Sequence, residues 1–338
     1  MARIVLGVGT SHTPMLTLGS EDWIHRAADD LKNPKLNNSD GTWISYAALL
    51  AERGPAYAEH VTPEALATLE GQCQQALDRL KAEIATAAPD VVIIVGDDQS
   101  ELFGPQNMPV ISIFHGDEVV THDRWGAETY PEWARRMGKA YAMDAVHSFP
   151  GAPDFARELI EGMMERGIDV STASRVDDPH RAGFGHAFGF VIRRLMGEVP
   201  VPVIPLLLNT YYPPNVPTAW RCHDMGRALR EAIGASGQDL RVAVVASGGL
   251  SHFIVDEELD QRVIGGFSPD KAELLRSLPR GALMSGSSEI LNWVLTAGAV
   301  DHLPLKWVEY YPAYRTPAGT GVGTAFAVWG GADADAAR

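Results

Sequence analysis

The chain is poor in cysteine, in basic residues and in long apolar runs, and each shortage removes a class of protein. Only Cys73 and Cys222 occur, in separate segments and outside any CxxC pair. A disulfide framework and a zinc knuckle are therefore not expected, and a reducing cytoplasm is the setting that fits. Lys and Arg number 28 against 43 Asp and Glu, for a net charge of -15. Neutralising a phosphate backbone takes clustered positive charge, so no nucleic-acid partner is expected. No run of about 18 apolar residues is present to span a bilayer. No basic-plus-apolar leader precedes the first strand, so no membrane partner is expected either. Hydrophobic residues still make up 46% of the chain, enough for a sizeable core.

Short buried runs alternate with polar loops and helices. Arg3 to Val8, Asp90 to Val95, Val201 to Leu208 and Arg241 to Ala246 read as strands buried on both faces, rich in aliphatic and β-branched residues. Val110 to Phe114 and Ile168 to Thr172 are shorter strand candidates, and Trp307 to Tyr311 and Thr324 to Trp329 close the series. Thr62 and Pro63 have the character of an N-cap and first helical residue, starting an amphipathic helix to Ala87. Further helices are predicted at Tyr130 to His147, Asp154 to Arg166, Thr218 to Ile233, Asp256 to Val263, Asp270 to Ser277 and Ser287 to Ala297. This alternation predicts an α/β fold with a central, mostly parallel or mixed sheet covered by helices on both faces. A single catalytic domain over residues 1–331 is expected, with an irregular insertion or lid at about 15–61 and a frayed tail at 332–338.

Polar chemistry gathers where strands end. His12 follows the first strand, Asp97 and Asp98 the second, and His252 lies just past the Ser247-Gly248-Gly249 turn. His186 sits in a glycine-rich loop and Glu289 at a helix start. Each taken alone is ordinarily structural: a histidine caps a hydrogen-bond network, a first-turn acid compensates a helix dipole. Several aimed at one sheet edge are harder to place without a ligand, because burying them together costs several kcal/mol. Imidazole plus carboxylate without thiolate suits Fe(II), Mn(II) or Zn(II), and two histidines with one carboxylate suit non-haem iron and O2. Competing motifs are weak. Gly183, Gly185 and Gly189 miss the dinucleotide spacing, and Gly249 to Phe253 lacks the last glycine of a nucleophile elbow.

Taken in order, Gly9-Thr10-Ser11-His12-Thr13-Pro14, Val95-Gly96-Asp97-Asp98-Gln99, Gly185-His186-Ala187-Phe188-Gly189, Gly248-Gly249-Leu250-Ser251-His252 and Gly286-Ser287-Ser288-Glu289 carry a resemblance. The chain resembles the class III, LigB-type extradiol ring-cleavage dioxygenases, and within them the gallate and 3-O-methylgallate branch. The resemblance implies a LigB-like catalytic fold, Fe(II) as cofactor with Mn or Zn as substitutes, a small aromatic diol and O2 as partners, and a homodimer or other homo-oligomer. It implies His12 and Glu289 as metal ligands, His252 as the acid/base and His186 as its acid partner. One position departs: where the family carries a second histidine ligand at the end of an Asn-Asp-His stretch, this chain has Gln99. Three readings stay open. Gln99 ligates through its amide oxygen; His60 or His115 substitutes; or iron has been lost, leaving a metal-dependent hydrolase or a binding protein. Tyr211, Tyr212 and Arg315 are expected to contact a ring and its carboxylate, the arginine because its planar fork matches that group.

Overall fold

Four aliphatic runs form the parallel centre of one eight-stranded sheet in the computed structural model, which describes residues 1–197 and 201–330. The sheet strands are β1 (Arg3–Thr10), β2 (Val91–Asp97), β3 (Ile111–Phe114), β4 (Ser171–Ala173), β5 (Val203–Leu208), β6 (Arg241–Ser247), β7 (Leu305–Tyr314) and β8 (Gly321–Gly330). Their spatial order is β7-β8-β1-β6-β2-β5-β3-β4. Strands β1, β6, β2 and β5 run parallel, with Val245 opposite Val8 and Ile94 and Leu208 opposite Asp97. The flanks reverse direction, β8 pairing antiparallel with β1 and β3 antiparallel with β5. The sheet is mixed, as the sequence pattern predicted.

Alternation along each strand divides the core into two layers. On β2, Val91, Ile93 and Val95 face one cluster with Leu229 and Trp293, while Val92 and Ile94 face the other with Leu77 and Phe188. Helices Ala219–Ala235 and Ile290–Ala299 cover the first face; Pro63–Ala87 and the short helix His186–Phe190 cover the second. The Thr62 hydroxyl accepts from the Ala65 amide at 3.3 Å, so the expected N-cap is present. Among the described residues, no helix is long and apolar enough to cross a membrane.

Several boundaries differ from expectation for identifiable reasons. The helix expected over Tyr130 to His147 is Glu132–Ala140. Ala142 adopts a positive φ and the Met143 amide returns to the Gly138 carbonyl at 2.7 Å, a closure that ends the helix. Residues 15–61 are not irregular: they hold helices Trp23–Asp30 and Tyr46–Arg53 and a two-stranded ribbon. Their small core of Leu36, Tyr46 and Leu49 packs against Ile254 and Ala318. That nucleus is built from contacts distant in sequence, which local periodicity does not reveal. The tail expected to fray at 332–338 lies outside the described residues.

Candidate functional site

Because β1, β6, β2 and β5 are parallel, their carboxyl ends share one edge, the edge where open α/β sheets bind ligands. His12 follows β1, Asp97 ends β2, Tyr211 follows β5, and Ser247 ends β6 ahead of His252. The helix Ile290–Ala299 fixes the exit of β6: Asn292 Nδ2 donates to the Ser247 carbonyl at 2.9 Å and Trp293 Nε1 to that of Gly248 at 2.8 Å. The 3-10 turn before it, Ser285–Glu289, delivers Glu289 to the same place. Close approach explains one glycine here, since a Cβ on Gly286 would overlap the His252 ring.

Hydrogen bonds fix which nitrogen of each imidazole faces the centre. The Ser247 hydroxyl donates its single proton to the Ala187 carbonyl at 2.7 Å. At 2.9 Å from His12 Nδ1 it must therefore accept, so Nδ1 carries the proton and Nε2 faces Glu289 Oε2 at 3.3 Å. His252 Nδ1 lies 2.8 Å from the Leu250 carbonyl, an acceptor only, so it too is protonated there. Its Nε2 lies 3.3 Å from Glu289 Oε1. Glu289 also accepts from the Gly249 amide at 2.7 Å. Burial would raise the Glu289 pKa, but His252 and His12 hold it well below the usual carboxylate range. Burial would likewise depress His252, and Glu289 instead holds it above its ordinary value.

His186 is anchored differently. Its Nδ1 lies 2.7 Å from Glu101 Oε1, leaving Nε2 for the centre. Burial pulls this imidazole down, but Glu101 raises it to about 10, and Glu101 itself, despite burial, falls to about 2. Glu101 is held by Asp98, whose carboxylate accepts from the amides of Glu101, Leu102 and Phe103 at 2.8 to 3.0 Å. Asp98 thus shapes the loop, and burial followed by Glu101 pushes its own pKa to about 6. Behind His252, Asp260 accepts from the Ser251 amide at 2.7 Å, the Ser251 hydroxyl at 2.8 Å and the Tyr310 hydroxyl at 2.7 Å.

Ligand atoms of His12, Asp97, His186 and Glu289 all lie within 4.8 Å of one another, and all four residues are buried. Imidazole Nε2 atoms facing carboxylate oxygens require positive charge between them, supplied by protons or by a metal ion. The donor types are those of a divalent transition metal, and outer partners already fix the orientation of both ring ligands. These four residues can therefore hold a metal ion. The adjoining cavity of about 270 Å³ has an aromatic lining of Trp125, Tyr141, Tyr211 and Phe253, a size and character suited to one ring.

The sequence-derived residues do not all meet here. His12, His186, His252, Gln99, Glu289, Tyr211 and Arg315 line the cavity. Gln99 presents its NH2 group, Nε2 donating to Asp97 Oδ2 at 3.2 Å and to Glu289 Oε1 at 3.3 Å, where a ligand would present its oxygen. His115 is corrected by strand direction: β3 runs antiparallel to β5, so its carboxyl end points to the opposite edge of the sheet. His60 lies in a separate surface groove with Tyr311, its ring beside Tyr57 and Tyr314. Tyr212 is outside the cavity lining, its backbone amide and carbonyl both engaged by Asn209 in a turn. Arg315 has found a carboxylate inside the protein, Asp30, at 2.8 and 3.1 Å. Glu101 was missed as a site residue, and Asp97, noted at its strand exit, was assigned no role. The available signal was a buried strand ending in two acids, Asp97 and Asp98, with a third acid three residues on.

An α/β sheet with a buried His/Asp/His/Glu cluster at its parallel edge, able to hold a metal ion, defines the class of protein. Within that class the assignment is specific: residues 47–326 match the family described as the catalytic LigB subunit of aromatic ring-opening dioxygenase, and the chain belongs to it. A gallate dioxygenase of Pseudomonas putida is 32% identical over 136 residues, 37% of this chain and 38% of that protein. A 2,3-dihydroxyphenylpropionate/2,3-dihydroxicinnamic acid 1,2-dioxygenase of Rhodococcus jostii is 27% identical over 240 residues, 68% of this chain and 64% of its own. The chain thus spans less than two thirds of the length of these relatives.

Proposed function

We propose that the protein is a non-haem, Fe(II)-dependent extradiol dioxygenase that opens the ring of a gallate-, 3-O-methylgallate- or protocatechuate-like diol with O2. The observation that carries this reading is the buried cluster of His12, Asp97, His186 and Glu289 beside an aromatic-lined, single-ring cavity. His12 and Glu289 would hold the ion. Bound there, Fe(II) would supply redox chemistry with O2 and a common template for both reactants; Mn or Zn are the substitutes the donor set also accepts.

The chain's own residues then divide the proton work. His252 has Nδ1 fixed on the Leu250 carbonyl, so Nε2 is the atom that takes a proton from a substrate hydroxyl. His186 has Nδ1 held by Glu101, a carboxylate that favours the protonated ring, so its Nε2 is placed to donate a proton to the developing oxygen. Tyr211, Trp125 and Phe253 line the cavity around the ring and limit water. Two buried, unpaired cysteines support a cytoplasmic setting. Lignin-derived aromatics are the expected source of such diols and a homodimer the expected assembly.

The test is anaerobic reconstitution with Fe(II), then gallate, 3-O-methylgallate or protocatechuate with O2 uptake and loss of the ring absorbance recorded. One O2 per diol is expected. Bound iron with no oxygen consumption from any of these diols would instead support a redox-silent relative, a hydrolase or binding protein, the reading that Gln99 keeps alive.

A further inference from the structure

Asp97 is a buried acid whose hydrogen-bond partners are both neutral. It ends β2, is fully buried, and accepts from two neutral amides: Gln99 Nε2 at 3.2 Å and, at a long 3.5 Å, Asn292 Nδ2. The other buried carboxylates nearby are better supplied. Asp30 has a guanidinium, Glu101 an imidazole, and Asp260 three donors from Ser251 and Tyr310. A carboxylate buried in this way is neutralised either by a proton or by a cation.

Gln99 cannot be that partner, and its orientation bears on its own role. Its one NH2 group bridges Asp97 Oδ2 and Glu289 Oε1. Turning the amide to offer its oxygen would remove a donor from both carboxylates and place a third acceptor against them. Gln99 therefore acts on the two carboxylates from outside. The donor set points the same way: an ion of the class these donors suit would be held by three protein side chains, with its other positions open. His12 and Glu289 fill two. His186 Nε2 also faces the centre and competes for the third place, but its ring already has the Glu101 carboxylate as a charged partner, whereas the hydrogen-bond partners of Asp97 are two neutral amides.

We propose that Asp97 supplies the third protein ligand, giving a set of one histidine and two carboxylates, His12, Asp97 and Glu289, with Gln99 bracing both carboxylates. The Asp97-Asp98-Gln99 stretch then differs from an Asn-Asp-His pattern at two linked positions: the imidazole lost at 99 is compensated by a carboxylate gained at 97, and the ligand moves two residues back along the chain, onto the end of β2. This inference rests on reading the cluster as a metal centre.

Metal binding is measured without substrate, so that it stands apart from turnover. Chelator-stripped protein is titrated anaerobically with Mn(II) alone, free Mn(II) being counted from its electron paramagnetic resonance signal. Wild type is expected to bind one ion. Asp97→Asn should weaken binding by more than about 100-fold and Gln99→Ala by about 10-fold, the lower end of the range for an outer partner. Asp97→Asn/Gln99→His should recover binding to within about 10-fold of wild type. Circular dichroism checks folding, and Asp97→Ala gives a second measure of the same loss should the asparagine variant misfold. Binding within about 10-fold of wild type in Asp97→Asn would overturn the proposal, with the ligand then identified by whichever of Gln99→Ala or His186→Gln loses the ion. Failure of wild type to bind Mn(II) or Fe(II) would remove the metal centre itself. Tight binding without ring opening would spare the ligand set and sink only the dioxygenase reading.

Discussion

Two buried charged groups border the same cavity, and they are built on opposite plans. In the first, Asp30 meets Arg315 through both carboxylate oxygens and also accepts from the Thr320 hydroxyl at 2.8 Å. One charge cancels one charge, and the pair is closed. In the second, Asp97, Glu289 and Glu101 stand among His12, His186 and His252, with carboxylates facing imidazole nitrogens whose other protons are already used. That group closes only when protons or a metal ion enter. A satisfied pair holds structure, while an unsatisfied cluster of the same residue types is poised for a ligand.

The contrast can be broken from either side. The largest effect is expected at Glu289, which touches both His12 and His252: Glu289→Ala should lose the metal ion and reduce ring opening by more than about 1000-fold, in metal analysis and O2 uptake. His252→Ala should reduce ring opening by about 100- to 10,000-fold, the range of a general acid-base group, with metal content near wild type. Loss of metal in that variant would make His252 a ligand. On the closed side, Asp30→Ala leaves Arg315 buried without its partner and should cost about 3 to 5 kcal/mol in urea unfolding. Replacing Tyr212, which lies outside the cavity lining, by Phe should change ring opening by less than about threefold.

The Glu101–His186 pair lies between the two plans and has a pH signature. His186 is raised from 6.5 to about 10, so its contribution to stability is complete below pH 6.5 and is lost as pH rises through 10. Glu101 is lowered from 4.5 to about 2, so its contribution is complete above pH 4.5 and is lost as pH falls toward 2. Unfolding of the metal-free protein should therefore show this contribution at its greatest between pH 4.5 and 6.5. Glu101→Gln should flatten the decline between pH 6.5 and 10, and an unchanged slope would contradict the pairing.

The centre of the sheet was legible because its signal is local. A buried run followed by glycine and polar residues marks a strand exit, and parallel strands put those exits on one edge, so His12, His252 and Tyr211 arrive where expected. Strand direction is not local. Ile111–Phe114 reads as a strand either way, and only its antiparallel pairing with β5 sends His115 to the far edge. Partners distant in sequence were equally hidden. Arg315 was matched to a carboxylate on chemical grounds, but that carboxylate is Asp30, 285 residues away in a segment expected to be irregular. Glu101 became visible only once Asp98 was seen to fold the loop back beneath His186.

The central claim is that the unsatisfied cluster is a metal centre. Anomalous diffraction at the iron edge from crystals loaded anaerobically with Fe(II) tests it most directly. One strong peak within bonding distance of His12 Nε2, Glu289 and Asp97 is the expected result, and a fully loaded protein with its iron anywhere else would contradict the account.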